Sequence, residues 1–430
     1  MALTGRTALL ALAGVAVQVA APSPATFFAW LVLVAVLVAV DVWRAGSVKT
    51  LSWQRSSTAS VRLGGTAATT LTVTNQGDRR VRGLVRDAWP PSAGAVANRW
   101  PIDVPPGERR RFTTVLRPSR RGDRLADRVT VRSGGPMGLA ARQRSVVVPG
   151  RVRALPPFGS RRHLPSRLAR LRELDGRTSL HVRGQGTEFD SLREYVVGDD
   201  VRSIDWRGTA RGQTVVVRTW RPERDRHVLV VLDTSRTSAG RVGDAPRLDA
   251  AMDAALLLAA LASRAGDRVD LLAADRRVRA AVQRRTGAQL LPALVEAMAP
   301  LEPELLEADW SAIVGAIRAR TSQRALVVLL TALEAAPVEE SLLPVLGPLT
   351  AHHQVLVASV ADPAVLAMAQ GRADADAVYS AAAAERTLTE RDRVAALLER
   401  LGVEVVDAAP DALPPALADR YLALKAAGRL

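Results

Sequence analysis

The stretch Val228–Thr237, with the sequence VLVVLDTSRT, decides the fold of the C-terminal half of the chain. Its first five residues are branched and apolar, which is typical of a strand that is buried on both faces. Similar runs recur downstream, at Val269–Ala273, Ala325–Leu330, Val355–Val360 and Val403–Val406. Because these runs alternate with helical segments, the pattern predicts an α/β, Rossmann-type domain with a mainly parallel sheet over residues 227–430.

The segments between and after these strands carry the apolar spacing of amphipathic helices. They are Leu248–Arg264, Gln289–Met298, Trp310–Ala319, Glu339–Leu346, Ala364–Ala369, Glu385–Arg400 and Ala412–Ala427. Helices in these positions would cover both faces of the predicted sheet.

The first strand runs directly into a carboxylate and two hydroxyls, on Asp233, Ser235 and Thr237. The carboxyl ends of parallel strands form the edge at which open α/β sheets bind ligands. Oxygen ligands suit a hard divalent ion such as Mg²⁺, which also accepts an oxygen from a partner's carboxylate. The alternative is that Asp233 and the hydroxyls cap a turn or the next helix. Both interpretations stay open at the level of sequence.

The N-terminus contains two apolar runs, at about residues 7–21 and 25–43, which a Pro-Ser-Pro turn separates. Each is somewhat short for a hydrocarbon core about 30 Å thick, and flanking residues such as Trp43 fill the difference. Basic residues lie at both outer ends, so the positive-inside rule predicts a transmembrane helical hairpin over residues 1–47, with the following domains in the cytoplasm. A cleaved signal peptide and a buried core hairpin are the alternatives.

Residues 48–155 alternate short strand-like segments with turns rich in Gly and Pro, as at 105–107 and 133–136. Repeated short strands of this kind predict a β-sandwich-like domain. Residues 156–226 are more polar and are predicted to be a linker. Its alternating charges form either a half-buried ionic network, with Tyr195 and Trp206 packed on arginines, or a solvated loop.

The composition excludes several classes of site. The chain has 430 residues, a formal net charge of +16 and no cysteine, which excludes disulfide scaffolds, thiolate zinc sites and cysteine nucleophiles. The positive charge is concentrated between Arg79 and Arg172. It reflects either a coding bias toward arginine or a surface for anionic lipid or an acidic partner. Nucleic acid is not an expected partner, because aromatic residues are only 4% of the chain and no basic stretch is interleaved with stacking residues.

A dense set of specific residue types precedes the Asp233 motif. The set comprises Gly186, Glu188, Phe189, Arg193, Tyr195, Gly198, Asp199, Asp200, Asp205, Trp206, Thr209 and Arg211. Together with Asp233 and Ser235, this signature resembles the bacterial family named domain of unknown function fifty-eight. The resemblance implies a membrane-anchored protein with a von Willebrand factor A-like domain and no enzymatic activity. It also implies a MoxR-type AAA+ ATPase as a partner, and a transglutaminase-like membrane protein as a further candidate.

The resemblance to A-type domains further implies a metal-ion-dependent adhesion site. Such a site adds a downstream threonine and a later aspartate to the motif at Asp233, Ser235 and Thr237. Ala332 stands where that aspartate is expected, with Glu334 as its nearest substitute, and Asp309 lies near the region of the expected threonine. The resemblance therefore implies a Mg²⁺ site that looks incomplete.

These patterns favour a non-enzymatic scaffold in protein assembly or maturation, with no catalytic residue. It would be a multi-pass protein of the plasma (inner) membrane, with the lipid bilayer and the ATPase as partners. One alternative is a hydrolase that uses Asp233 or Ser235, although none of the five histidines lies in a recognisable nucleophile motif. The other is an extracellular adhesin, which the membrane topology would decide.

Overall fold

The computed structural model describes residues 1–56, 60–179, 188–197, 199–212, 214–221 and 226–430. The chain divides into two compact units, Met1–Pro157 and Phe158–Leu430. The segment 156–226, predicted to be a linker, instead contains helices and strands and lies almost wholly in the second unit. Its amphipathic helix is one reason, because an apolar face such as that of buried Leu171 needs a neighbour to pack against.

Two apolar helices begin the first unit, α1 at Gly5–Ala20 and α2 at Pro24–Arg44. Ser23 caps α2, since its hydroxyl accepts a hydrogen bond from the Thr26 amide, and Pro24 suits the first helical turn. The stretch Pro24–Thr50 is long and apolar enough to cross a membrane, whereas α1 is a shorter apolar helix. The 21 residues of α2 make a helix of about 31 Å, close to the thickness of a hydrocarbon core.

Three sheets make up the rest of the first unit. Their strands are β1 (Ala2–Leu3), β2 (Leu51–Arg55), β3 (Ser60–Arg62), β4 (Ala67–Asn75), β5 (Val81–Asp87), β6 (Arg99–Val104), β7 (Arg109–Leu116), β8 (Gly122–Leu125), β9 (Val129–Gly134), β10 (Ala140–Val146) and β11 (Arg151–Leu155). The sheet orders are β1-β10-β9-β5-β6, β2-β4-β7 and β3-β11-β8. Val73 of β4 shares a buried cluster with Ile102 and Val131 of the five-stranded sheet, which the alternation of buried and partly exposed residues along β4 allows.

A buried carboxylate joins the end of α2 to the five-stranded sheet. Asp41 accepts hydrogen bonds from the backbone amides of Met137 at 2.8 Å, Leu139 at 2.7 Å and Ala140 at 2.9 Å. The Thr4 hydroxyl, at the start of α1, donates to the carbonyl of Leu139 at 2.9 Å. The same β9–β10 loop therefore holds the ends of both apolar helices.

The second unit is built around a six-stranded sheet. The strands of this unit are β12 (Glu188–Glu194), β13 (Val216–Arg221), β14 (His227–Asp233), β15 (Arg241–Val242), β16 (Ala245–Pro246), β17 (Arg268–Ala274), β18 (Val278–Val282), β19 (Ala325–Leu330), β20 (Gln354–Val360) and β21 (Glu404–Ala408). The large sheet has the order β18-β17-β14-β19-β20-β21, in which all strands but β18 run parallel. Two antiparallel pairs, β12–β13 and β15–β16, lie outside it.

The helices of this unit lie between the strands. They are α3 (Leu164–Ser179), α4 (Trp206–Gly212), α5 (Arg236–Ala239), α6 (Arg247–Arg264), α7 (Leu290–Met298), α8 (Trp310–Arg318), α9 (Ala335–Pro337), α10 (Leu343–Thr350), α11 (Pro363–Ala369), α12 (Ala375–Arg400) and α13 (Leu413–Ala426). A π-helical turn, Val338–Leu342, precedes α10.

The strands predicted from apolar runs occur within two residues of their expected bounds. Three elements of the large sheet and its helices differ from expectation, and one is the helix predicted over Glu339–Leu346, which is instead a π-helical turn followed by α10 and ends at Thr350. The antiparallel edge strand β18 was not predicted, because only one of its five residues is buried and it therefore lacks a buried apolar run. Helix α12 begins at Ala375 rather than Glu385, because its first turns are alanine-rich and mostly exposed and so lack an apolar stripe.

Candidate functional site

Asp233 ends β14 at the carboxyl edge of the large sheet. In the parallel pairing of β14 with β19, Leu232 lies opposite Leu330. The next residues, Asp233 and Thr331, therefore leave the sheet side by side. Asp233 is only 1% exposed, so its carboxylate needs hydrogen-bond donors from the protein.

Three hydrogen bonds satisfy this carboxylate. Oδ1 of Asp233 accepts from the Ser235 amide at 2.8 Å. Oδ2 accepts from the hydroxyls of Thr237, at 2.8 Å, and Thr331, at 2.6 Å. The Ser235 hydroxyl lies 3.2 Å from that of Thr237. Since the single Thr237 proton is directed to Asp233, Ser235 is the donor in this contact.

Ser235, Thr237 and Thr331 are among the residues that line an open cavity of about 370 Å³, although all three are buried, and Arg236 lines it as well. Each hydroxyl has one proton and two lone pairs, and all of these protons are directed away, toward Asp233 or Thr237. The oxygen atoms of these hydroxyls keep acceptor lone pairs close to the cavity, with the Asp233 carboxylate beside them. Such an arrangement attracts a cation or a group with several N–H donors.

Two further carboxylates line the same cavity, those of Glu307 and Glu340. Glu307 precedes α8 and pairs with Arg236 at 2.7 Å, with both side chains exposed. Glu340 comes from the π-helical turn before α10 and is exposed. The sequence analysis assigned neither residue, because both lie on connections whose approach to Asp233 depends on the order of the strands.

A second buried carboxylate, that of Asp275, supports the segment that carries Glu307. It accepts hydrogen bonds from the Thr234 hydroxyl at 3.0 Å and from Arg279 at 2.8 Å. Arg279 also pairs with Glu304 at 3.0 Å. Burial acts to raise the pKa of Asp275, but the hydrogen bonds from Arg279, the backbone and Thr234 outweigh it, and the pKa lies below its usual value. Asp275 is therefore ionised at neutral pH.

The alternative of a capping role applies in part. The Ser235 amide donates to Asp233 across two residues, which is a local turn of the Asx type. Ser235 stands at the N-cap of α5, yet its side chain makes no capping hydrogen bond. The Ser238 hydroxyl instead donates to the backbone carbonyl of Asp233 at 2.7 Å. Asp233 shapes the turn, whereas the Ser235 hydroxyl is not used for it.

The expected substitute metal ligands lie elsewhere. Glu334 pairs with Arg247 at 2.8 Å, and Asp309 accepts a backbone hydrogen bond as the N-cap of α8. Within the described ranges, no group of three or more histidines and carboxylates could hold a metal ion. A hard cation would therefore rest on Asp233 and the hydroxyls, to which Thr331 adds one that the sequence analysis had not assigned.

The described signature residues lie mainly in β12, α4 and the connections around them. Asp205 accepts a hydrogen bond from the Gly208 amide at 3.0 Å and from Arg218 at 2.8 Å, and these contacts lower its pKa. The Thr209 hydroxyl donates to the Asp205 carbonyl at 2.8 Å and accepts from the Val216 amide at 3.1 Å. Asp205 and Thr209 thus join α4 to β13.

The predicted single ionic network is instead a set of local contacts. Arg193 pairs with Asp199 at 2.6 Å, separately from Asp205. Trp206 is 69% exposed, and the cation–π contacts of the described residues involve other aromatic side chains. Asp205 pairs with Arg218, whereas Arg193 pairs with Asp199, so the two ion pairs stay separate. Among the other signature residues, Tyr195 donates a backbone hydrogen bond, Asp200 forms a local turn and Arg211 has an exposed side chain. Gly186, Gly198 and the side chains of Glu188 and Phe189 lie outside the described residues.

Comparison with known proteins relates part of the second unit to a family. Residues 191–385 match the sequence model of the family described as protein of unknown function DUF58. Two similar curated proteins, the uncharacterized proteins Rv1480 of Mycobacterium tuberculosis and Mb1516 of Mycobacterium bovis, are each 29% identical over 189 residues. The match covers 42% of this chain and 57% of each relative, so the chain spans little more than half of their length.

Among solved structures, a CARDB domain from Pyrococcus furiosus is 18% identical, and the match covers 23% of this chain and 86% of that chain. Its TM-score of 0.16 supports no conclusion about the fold. The sequence match carries the similarity, because it includes Asp233 and nine of the twelve signature residues. Through residues 191–385, which are less than half of its length, this chain is similar to the DUF58 family of proteins of unknown function.

Proposed function

We propose that the chain is a membrane-anchored, non-enzymatic scaffold that presents a von Willebrand factor A-like domain to a MoxR-type AAA+ ATPase. The similarity to the family supports this proposal, because the resemblance that led to the family also implies that partner. The parallel sheet with an acidic, hydroxyl-lined carboxyl edge supports the A-like interpretation. The partner would dock at the cavity beside Asp233.

One observation carries the proposal: Asp233 and the two threonine hydroxyls that donate to it, on Thr237 and Thr331, line one open cavity. A partner that brings a cation or several donors would meet oriented lone pairs that need no rearrangement. Preorganised groups of this kind favour binding, because little conformational entropy is lost when they engage.

The donor set fits Mg²⁺, which prefers carboxylate and hydroxyl oxygens. Asp233, Ser235, Thr237 and Thr331 would hold the ion from one side, and the other side would remain open toward the cavity. A bound ion would supply a positive charge that accepts a carboxylate oxygen from the partner. Glu307 and Glu340 at the rim would strengthen the local negative field that attracts the ion.

The geometry around Ser235 favours a binding role over hydrolysis. Within the described ranges, no imidazole contacts its hydroxyl, which donates to Thr237 instead. His227 lies at the opposite end of β14 and bonds Asp270 at 2.9 Å. Six residues of strand separate it from Asp233, a distance of about 20 Å, so it cannot serve as a base for Ser235.

A binding experiment with the full chain tests the docking proposal. The detergent-solubilised protein is titrated with a MoxR-type ATPase from the same organism, with Mg²⁺ or with EDTA, and with ATP. We expect Ser235→Ala to weaken binding by about tenfold, which corresponds to about 1.4 kcal/mol. Ser238→Ala is the matched control, because it removes a buried hydroxyl that bonds only the backbone of Asp233. Absence of binding under every condition, or equal losses in both variants, would overturn the proposal.

The proposed location is the plasma membrane, with α1 and α2 both spanning it and the soluble part in the cytoplasm. The apolar stretch Pro24–Thr50 and the basic residues at the outer ends of the two helices support it. The cysteine-free chain suits a labelling test, in which Ala427→Cys introduces one exposed thiol. An impermeant maleimide should label this thiol in lysed cells only. Labelling of intact cells would reverse the orientation and favour the adhesin.

A further inference from the structure

Five basic residues surround the end of α2. Arg44 and Lys49 follow the apolar part of the helix, Arg6 lies in the first turn of α1, and Arg79 and Arg142 come from the β sheets of the same unit. Arg142 is half-buried and the others are exposed. We call these five residues the basic collar.

Direct contacts fix the collar at the level of Trp43. Arg79 donates to the Trp43 carbonyl at 2.6 Å, and its guanidinium lies 5.1 Å from the centre of the indole ring. Arg142 donates to the Val42 carbonyl at 2.9 Å. Arg6 donates to the carbonyl of Met137, in the loop that Asp41 also holds, at 3.3 Å. The collar is therefore a fixed part of the helix end.

This level corresponds to the headgroup region of a bilayer that α2 spans. The helix is about 31 Å long, so its last turn emerges where the hydrocarbon ends. Trp43 is 63% exposed there, and tryptophan is enriched at membrane interfaces. Leu3 and Met137, which adjoin the same end, also expose apolar side chains. The surface at this end thus combines apolar groups with basic ones.

The positive charge of the collar is not neutralised by the described part of the protein. No described carboxylate lies within 4.0 Å of any collar cation. Two acids lie nearby in sequence, Asp41, which is turned toward the β9–β10 loop, and Asp78, which is exposed. Five cations and two carboxylates leave a formal charge of +3 (5 − 2) at this end. An uncompensated positive surface at headgroup depth matches a negatively charged leaflet.

We infer that the basic collar is a binding surface for the phosphates of anionic phospholipids. Its arginines donate paired N–H groups to phosphate oxygens, and this contact holds the β sheets of the first unit against the membrane. The inference rests on the membrane anchor of the proposed function, and it names the lipid class that the anchor selects.

Native mass spectrometry of the full chain tests this selection. Protein in detergent micelles receives equal amounts of phosphatidylglycerol and phosphatidylcholine, and the ratio of the two bound lipids is measured. We expect the wild-type chain to favour phosphatidylglycerol by about fivefold or more, and the triple variant Arg44→Gln, Arg79→Gln, Arg142→Gln to bind both lipids equally.

Two controls separate charge from folding. The first control is the triple variant Arg86→Gln, Arg117→Gln, Arg120→Gln, which removes the same amount of charge. These arginines lie near the ends of β5 and β7 that are far from the collar, so the lipid ratio should stay unchanged. Arg79→Lys with Arg142→Lys keeps the charge and should retain the preference. An unselective wild-type chain, an equal loss in the distant variant, or a loss in the lysine variant would overturn the inference. Binding of the ATPase by the collar variant distinguishes this failure from failure of the docking proposal.

Discussion

Replacing Thr331 by Val removes one of the three donors to the buried carboxylate of Asp233. The two side chains have nearly the same shape, so the change leaves the packing intact and deletes a hydrogen bond of 2.6 Å. A hydrogen bond to a charged group contributes about 1.5–3 kcal/mol. We expect the second unit to lose about 2 kcal/mol of unfolding free energy, which lowers its melting temperature by about 4–8 °C.

The assay is thermal unfolding of the full chain in detergent, followed by circular dichroism. Thr321→Val is the matched control, because Thr321 is also buried and its hydroxyl donates to the helix carbonyl of Ile317 at 2.8 Å. That carbonyl is neutral and belongs to the same helical turn. The control should therefore lose at most about 1 kcal/mol.

Equal melting temperatures in the two variants would refute the reasoning, because they would mean that Asp233 does not depend on a charge-assisted bond from Thr331. Thr331→Ser provides a second check. It restores the donor and removes one methyl group, so its stability should lie between that of the wild-type chain and that of Thr331→Val.

Three further predictions concern the supporting structure. Asp41→Asn places an amide group against the backbone amides of the β9–β10 loop. We expect the hydrogens of those backbone amides to exchange with solvent at least tenfold faster, as measured by hydrogen-exchange mass spectrometry. Unchanged exchange would contradict the role of the carboxylate. The folded pKa of Asp275 is lowered, so its contribution to stability is present above the unfolded pKa of about 4 and disappears as the pH falls through the folded value. The gap between wild-type and Asp275→Asn melting temperatures should thus be constant from about pH 7 to 5 and narrow below about pH 4; a gap that widens in acid would contradict the assignment. Gly83 has a φ of 154°, and an added Cβ would lie 1.9 Å from the Arg132 carbonyl oxygen. Gly83→Ala should therefore destabilise the first unit by several kcal/mol in thermal unfolding. Gly107→Ala, where no atom lies within 4 Å of an added Cβ, should cost less stability in the same measurement.

The parallel strands could be predicted because each is a short run of apolar residues, and such a run indicates a strand that is buried on both faces. A run such as Ala325–Leu330 is apolar on both faces, and few other environments than a covered sheet accept it. Strand β18 carries no such signal, because it pairs on one side only and exposes most of its residues. Its place at the edge of the sheet depends on tertiary packing rather than on its own sequence.

The candidate site could be predicted only in part, for a related reason. Asp233, Ser235 and Thr237 are near neighbours in the chain, and one buried strand indicates where they emerge. Thr331 is separated from Asp233 by 98 positions. Its contact depends on β14 and β19 being neighbours. Thr331 follows a buried strand just as Asp233 does, so the same argument, applied to every strand end, would have found it.

The attachment of α2 to the β9–β10 loop has a mechanical consequence. Asp41 accepts hydrogen bonds from three backbone amides at once, and Arg142 adds a bond from strand β10 to the same helix end. Several hydrogen bonds between the same two elements share a pulling force. A flexible linker would first extend before it transmitted that force. A force applied to the sheets of this unit would therefore reach the apolar helices directly, because the joint has no flexible segment at these bonds.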